Sequence, residues 1–371
     1  MSEWKEYKIK DIASKITSGG TPKSSEQKYY NGNIPWLNTK EINFNRITRT
    51  EKCITEEGLK QSSAKWIPKG SVIIAMYGAT AAKVAYSLID LTTNQACCNL
   101  IINENIADSK FVYYYMQSSY EQLLNLACGA AQQNLSVNVI ADFPIILPSL
   151  SFQHNIASVL TSLDDKIDLL HRENATLESI SETLFRKWFI KDAIAEWDEV
   201  KIEDIATISA GGDKPSIVSP VPTKDLCIPI YSNGIDNEGL YGYTNSAIIT
   251  EESVTISARG TIGNVVLRTE PFVPIVRLIT MQPQEPATSK FLYFWARSLQ
   301  INGTGTTQQQ LTVPDFKHIK LKLPPKKSIE HFTNIVNQYY DKILLNKKEI
   351  QTLSQTINNL LLRLMKEHKD K

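Results

Sequence analysis

At 371 residues, with 42% hydrophobic and 21% charged side chains, the chain is too long for one ordinary core and reads as two or more soluble globular domains. No apolar run approaches the ~20 residues of a membrane span, the opening Met1-Ser2-Glu3-Trp4-Lys5 has no apolar signal core, and Cys53, Cys97, Cys98, Cys128 and Cys227 show no metal-type pairing, which points to reduced thiols in a cytoplasm. A formal net charge of +1 speaks against a chain that grips DNA unaided, and is compatible with a reader whose partners supply much of the phosphate grip.

The first half opens on Trp4, with Ile9 and Asp11-Ile12-Ala13 behind it, and then brings Gly19-Gly20 and Pro22. Asn33-Ile34-Pro35-Trp36-Leu37-Asn38 follows, then the β-rich Val72-Ile73-Ile74 leading to Tyr77-Gly78. Ser109–Ser119 is an aromatic run of helical period with a serine at its start, as a capped helix has. Gln132-Gln133-Asn134-Leu135-Ser136-Val137 ends the mixed region before Pro148. Neither Gly nor Pro then occurs until Gly211, which predicts a helix from Ser151 to Ile190, ~60 Å long at the α-helical rise.

The same blocks then recur in the same order. Trp197 and Asp204-Ile205-Ala206 are followed by Gly211-Gly212 and Pro215, and by Cys227-Ile228-Pro229-Ile230-Tyr231-Ser232. Ser253-Val254-Thr255-Ile256-Ser257-Ala258-Arg259-Gly260 matches the segment from Ser71 to Gly78, and Val265-Val266-Leu267 is a further β-rich run. Ser289–Ser298 matches the aromatic helix, and Gln308-Gln309-Gln310-Leu311-Thr312-Val313 matches the glutamine loop. After Pro325 no Gly or Pro occurs up to Lys371, so a second long helix is expected there. The chain is therefore a tandem repeat. The expected parts are domains at 1–150 and 193–325 and long helices at 151–192 and 326–371, each domain α+β with a strand-rich core and no strand order readable.

The two helices carry matching apolar seams that step alternately by four and three. Ile156, Leu160, Leu163, Ile167, Leu170, Asn174, Leu177, Ser181, Leu184 and Trp188 form the first, and Phe332, Val336, Tyr339, Ile343, Asn346, Ile350, Leu353, Ile357, Leu360 and Leu364 the second. A stripe of this length either meets another helix or lies on its own domain. Paired antiparallel with Asn174 opposite Asn346, every seam position finds a seam position: Leu160 meets Leu360, Leu163 meets Ile357, Ile167 meets Leu353 and Leu170 meets Ile350. The asparagines then either pin the register or stay solvated.

The duplicated order resembles the specificity subunit of type I restriction–modification enzymes over essentially the whole chain. Its motifs here are the opening Trp with Asp-Ile, the Gly-Gly loop with its proline, Ile-Pro-Trp, the Gly-centred hairpin, the Gln-Gln-x-Leu-Ser/Thr loop and the long helix. The second half departs from it by carrying Ile230 where the first has Trp36, and by lacking a counterpart to part of the stretch from Lys40 to Lys69. The resemblance implies two target recognition domains, each reading half of a split DNA site, on helices paired as an antiparallel coiled coil with pseudo-two-fold symmetry. It also implies two methylation subunits and two restriction subunits as partners, with S-adenosylmethionine on the former, ATP and Mg2+ on the latter, and no cofactor or catalytic centre on this chain.

Side chains that pair with base edges are Arg or Lys with guanine and Asn or Gln with adenine. Candidates are Gln132, Gln133 and Asn134 in the first glutamine loop and Thr307, Gln308, Gln309 and Gln310 in the second, which would equally make solvated turns. Tyr77 and Lys83, with Arg259 and Thr261, belong to expected hairpin tips. Gly20 with Lys23, and Gly212 with Lys214, would contact phosphates or serve only as turns. Asn38 and Asn233 complete the set.

Catalytic signatures do not converge. The only Pro-Pro, Pro324-Pro325, follows Leu323 rather than the Asn or Asp of an adenine methyltransferase, and no glycine-rich cofactor loop or nucleotide-binding lysine loop occurs. Asp164-Asp165 reads as a solvated helix face, and the five histidines are scattered. The expected function is a non-catalytic DNA-reading subunit of an adenine-specific methyltransferase and nuclease complex. A coiled-coil scaffold with protein-binding ends, favoured by the low net charge, is the alternative.

Overall fold

The computed structural model describes residues 4–128, 134–193, 196–299 and 311–366. Contacts group them into two compact units, one of residues 1–170 with 348–371 and the other of residues 171–347. Each unit thus combines one globular half with part of both long helices, whereas the sequence divides the helices off as separate segments.

In the first unit, strand Lys5–Lys8 pairs antiparallel with Pro144–Leu147 and closes the half just before the long helix. The main sheet has five strands in the order Ala13–Ser18, Cys97–Ile102, Val72–Ala75, Val84–Ser87, Asn45–Ile47. Strand Val72–Ala75 is apolar throughout because the sheet is covered on both faces. Its alternating side chains divide accordingly. Val72 and Ile74 enter the core shared with helix Ser109–Ser118, and Ile73 and Ala75 enter a second cluster with Leu37, Ile42 and Leu91. A smaller sheet orders Lys52–Ile54, Tyr30–Leu37, Leu91–Thr93 and Trp66–Ile67. The helix is capped one residue earlier than its serine suggests, because Asp108 Oδ1 accepts from Phe111 N at 2.9 Å and Ser109 is buried.

The second unit repeats this plan. Glu199–Lys201 pairs with Lys320–Lys322, and the main sheet runs Ala206–Ala210, Ile279–Pro283, Ser253–Ile256, Val265–Arg268. Leu240–Thr244, Ile228–Tyr231 and Val273–Pro274 form the smaller sheet. The one parallel pair in each small sheet has the same register, Trp36 beside Thr92 and Ile230 beside Val273. Strand Asn45–Ile47 has no counterpart among the described residues of the second half, in keeping with the shorter second copy. Thr288 caps helix Ser289–Ser298, again one residue before the serine.

The first long helix is α-helical over Leu150–Arg186 and ends in a π-helical turn, Lys187–Lys191. That turn brings Trp188 and Phe189 onto Phe332 of the second long helix, Lys326–Lys366, so packing of large aromatic rings accompanies the departure from the α-helix. All the seam positions whose side chains are described are buried or half-buried; Leu364 is outside that set. In the first unit Leu160, Ile357 and Leu361 join the domain core. In the second, Asn346 is fully buried and its Nδ2 donates to Asn174 Oδ1 and Glu173 Oε2, both at 2.8 Å. Its Oδ1 has no hydrogen-bond partner among the described residues.

Asp164 departs from the solvated face expected for this pair, being half-buried, whereas Asp165 is exposed as expected. Arg46, on strand Asn45–Ile47, donates to Asp165 Oδ1 at 2.6 Å and also binds Asp168. Tyr114 Oη donates to Asp164 Oδ2 at 2.5 Å, and burial pushes that carboxyl above its ordinary range. These residues lock the first domain to its helix. No helix among the described residues is long and apolar enough to cross a membrane.

Candidate nucleic-acid interface

In each half three loops meet at one end of the main sheet, and the backbone bonds that join them are repeated. The glycine pair is tied to the start of the neighbouring strand, Cys97–Ile102 or Ile279–Pro283, with Gly19 N donating to Cys97 O at 3.3 Å and Gly211 N donating to Leu278 O at 2.8 Å. The hairpin tips turn at Gly78 (φ 75°) and Gly260 (φ 67°), both with open space where a side chain would stand. The end of each glutamine loop is pinned beside its tip, as Leu135 N donates to Met76 O at 3.0 Å and Leu311 N to Ala258 O at 2.9 Å. Tyr77 and Arg259 are the next residues along those strands, so they occupy equivalent places.

In the second half this meeting point is basic. Gly211, Gly212, Lys214, Tyr241, Arg259 and Arg277 surround a depression of about 470 Å³, together with Asp213. Arg259 and Arg277 also line an adjoining hollow of about 370 Å³ that reaches Leu311 and Thr312. Three cations against one carboxylate make a surface suited to phosphate oxygens or acceptor-rich base edges. Arg268, by contrast, is built into the frame. It is buried, its Nε donates to Thr255 Oγ1 at 3.0 Å, its guanidinium lies 3.6 Å from the Tyr231 ring centre, and burial holds its pKa below the ordinary value.

The structure thus brings Gly212, Lys214 and Arg259 together and adds Arg277 and Tyr241, which sequence reasoning missed. Arg277 lies in the stretch Val273–Pro283, a block whose match to Thr92–Ile102 becomes visible only through the shared strand register. In the first half Lys23 is exposed near Glu26, Tyr77 is exposed, and Gln95 meets Thr21. Asn134 is exposed at the end of its loop. Gln132, Gln133, Thr307, Gln308, Gln309 and Gln310 lie outside the described residues.

Other candidates face inward. Gly20 is buried and its carbonyl accepts from Trp36 Nε1 at 2.9 Å. Asn38 caps the turn Thr39–Glu41, and Lys83 Nζ donates to Asn43 Oδ1 at 2.8 Å. Thr261 Oγ1 is buried with no hydrogen-bond partner among the described residues. Asn233 uses both ends of its amide, Nδ2 donating to Val276 O and Oδ1 accepting from Ala258 N, each at 2.7 Å. It therefore ties the Arg259 tip to the Arg277 loop. Asn233→Ala should destabilise the second unit by about 1–3 kcal/mol, since two backbone groups lose their partners. Denaturant unfolding checks this, and an unchanged midpoint would mean that water replaces the amide.

A family model described as the type I restriction modification DNA specificity domain matches residues 1–179 and again 194–355. The chain is 26% identical over 405 residues to the type I restriction enzyme MjaIX specificity subunit of Methanocaldococcus jannaschii, covering 98% of this chain and 93% of that protein. To the HindI specificity subunit of Haemophilus influenzae it is 21% identical over 468 residues, covering 98% and 99%. The crystal structure of a type I restriction–modification S subunit from M. genitalium shares its fold, with a TM-score of 0.59 at 18% identity, covering 97% of this chain and 95% of that one.

Proposed function

Because the chain belongs to the type I restriction–modification DNA specificity family, we propose that it is the DNA-reading subunit of such a complex and recognises a bipartite site. The observation that carries this reading is the duplicated meeting of three loops, built on the same backbone bonds but lined by different side chains in the two halves. One scaffold used twice with Tyr77 in one copy and Arg259 in the other suits two dissimilar half-sites. Loops of each half would enter a major groove, and phosphate contacts from residues such as Lys23 and Lys214 would position without specifying.

The long helices serve as spacer and docking surface in this reading, paired as an antiparallel coiled coil. The contact between Asn174 and Asn346 supports that pairing. A buried asparagine with one unpaired acceptor lowers stability but penalises slipped registers more, which is how a polar seam residue fixes alignment. The unread spacer would then be comparable to a helical turn of DNA, roughly 34 Å. Chemistry belongs to the partners: two methylation subunits that use S-adenosylmethionine on adenine, and two restriction subunits that use ATP and Mg2+, all working in the cytoplasm.

Selection from a randomised duplex pool by the chain assembled with its methylation subunits tests the proposal. Enrichment of a split motif with a constant unread spacer is expected, weakening steeply with salt. Enrichment of no split motif would leave the scaffold reading in its place.

A further inference from the structure

We propose that Arg277 is a guanine-reading side chain of the second half, and that the first half has no such reader at the equivalent place. The inference rests on the reading of the chain as a DNA specificity subunit and assigns chemistry within it.

Val276 and Arg277 have φ of 52° and 60°, two consecutive non-glycine residues in the left-handed region, the first of them β-branched. That conformation is strained and persists only where surrounding bonds impose it. Here Val276 N donates to Gly212 O and Arg277 N to Gly211 O, both at 2.9 Å, and Asn233 grips Val276 O. The bend leaves Arg277 exposed on the wall of the basic depression, beside Arg259. Its guanidinium has no hydrogen bond or ion pair among the described residues.

A guanidinium held there has two natural partners, a phosphate or the O6 and N7 acceptors of guanine. A phosphate needs only a nearby positive charge, which Lys214 supplies in the same depression, whereas paired bonds to O6 and N7 need the fixed placement that the bend gives Arg277. The strand register sets Val273 and Thr92 at equivalent places, so Ala96 stands where Arg277 does. Gln95 and Ala96 show no left-handed φ, and Tyr77 replaces Arg259. The first half therefore lacks both arginines, and its reading of this base must differ.

The test uses the chain assembled with its methylation subunits. The wild type should select a guanine in one half-site, and 7-deazaguanine at that position, which lacks the N7 acceptor, should weaken binding roughly tenfold. Arg277→Lys and Arg277→Gly should each relax discrimination there roughly ten- to a hundredfold and leave the other half-site unchanged. The glycine variant removes the backbone strain, so loss of folding does not confuse the result. A uniform loss of affinity on every duplex, with a salt slope reduced by about one, would make Arg277 a phosphate anchor and overturn the proposal. An unchanged motif would overturn it as well. Selection of no split motif by the wild type would instead bring down the underlying functional reading.

Discussion

Gly20→Ala is expected to cost the first unit about 3 kcal/mol or more, while Gly212→Ala leaves the second unaffected or more stable by up to about 1 kcal/mol. The two glycines occupy matching positions in the repeat, yet their surroundings differ. A Cβ on Gly20 would stand 2.2 Å from Ala64 N and 2.3 Å from the Ser63 carbonyl carbon, and backbone atoms cannot step aside as a flexible side chain can. Moving the loop instead would break the bond from Trp36 Nε1 and strand a buried donor. A Cβ on Gly212 meets nothing within 4 Å, and its φ lies outside the left-handed region. Calorimetry of the two variants checks the contrast. Equal melting curves would mean that the first glycine loop is not seated against residues 63 and 64.

Phe332→Ala should lose about 3–5 kcal/mol, the usual range for emptying a buried phenylalanine site. Its ring is fully buried, 5.3 Å from the Phe189 ring centre and 5.8 Å from those of Phe185 and Phe294. These rings come from both long helices and from helix Ser289–Ser298, so one deletion opens a cavity where three elements join. Phe332→Leu should lose less, because much of the volume stays filled. The denaturant midpoint of each variant reads the difference, and a loss below about 1 kcal/mol for the alanine would show that the aromatic cluster collapses around the gap.

The tandem plan was readable because it depends on order: repeated blocks, then stretches without Gly or Pro that permit a long helix. The seam positions were readable for a similar reason, since a period is a local property. Strand order was not, because Ala13–Ser18 finds its partner in Cys97–Ile102, across most of the domain, and no local pattern names that partner. The half-burial of Asp164 was not readable, because its identity gives no sign that Tyr114 folds over it.

The site was partly readable. Glycines and lysines in loops, and an arginine before a glycine at a hairpin tip, are local signals, and in the second half they converge. Asn38 and Asn233 have the right chemistry for bases but spend it on backbone groups, which only the tertiary fold reveals. Arg277 carried no signal at all, since nothing in Pro274-Ile275-Val276-Arg277 announces two left-handed residues where a β-branched side chain disfavours them.

Two copies of one reader, lined differently, should recognise two dissimilar half-sites at a fixed spacing. The methylome of a host that carries the chain with its methylation subunits tests it most directly. Methylated adenines are expected in a split motif of two unlike halves, lost when the chain is deleted and altered in one half alone when Arg259 is replaced. A methylome indifferent to the deletion, or a continuous motif with no unread spacer, would contradict the account.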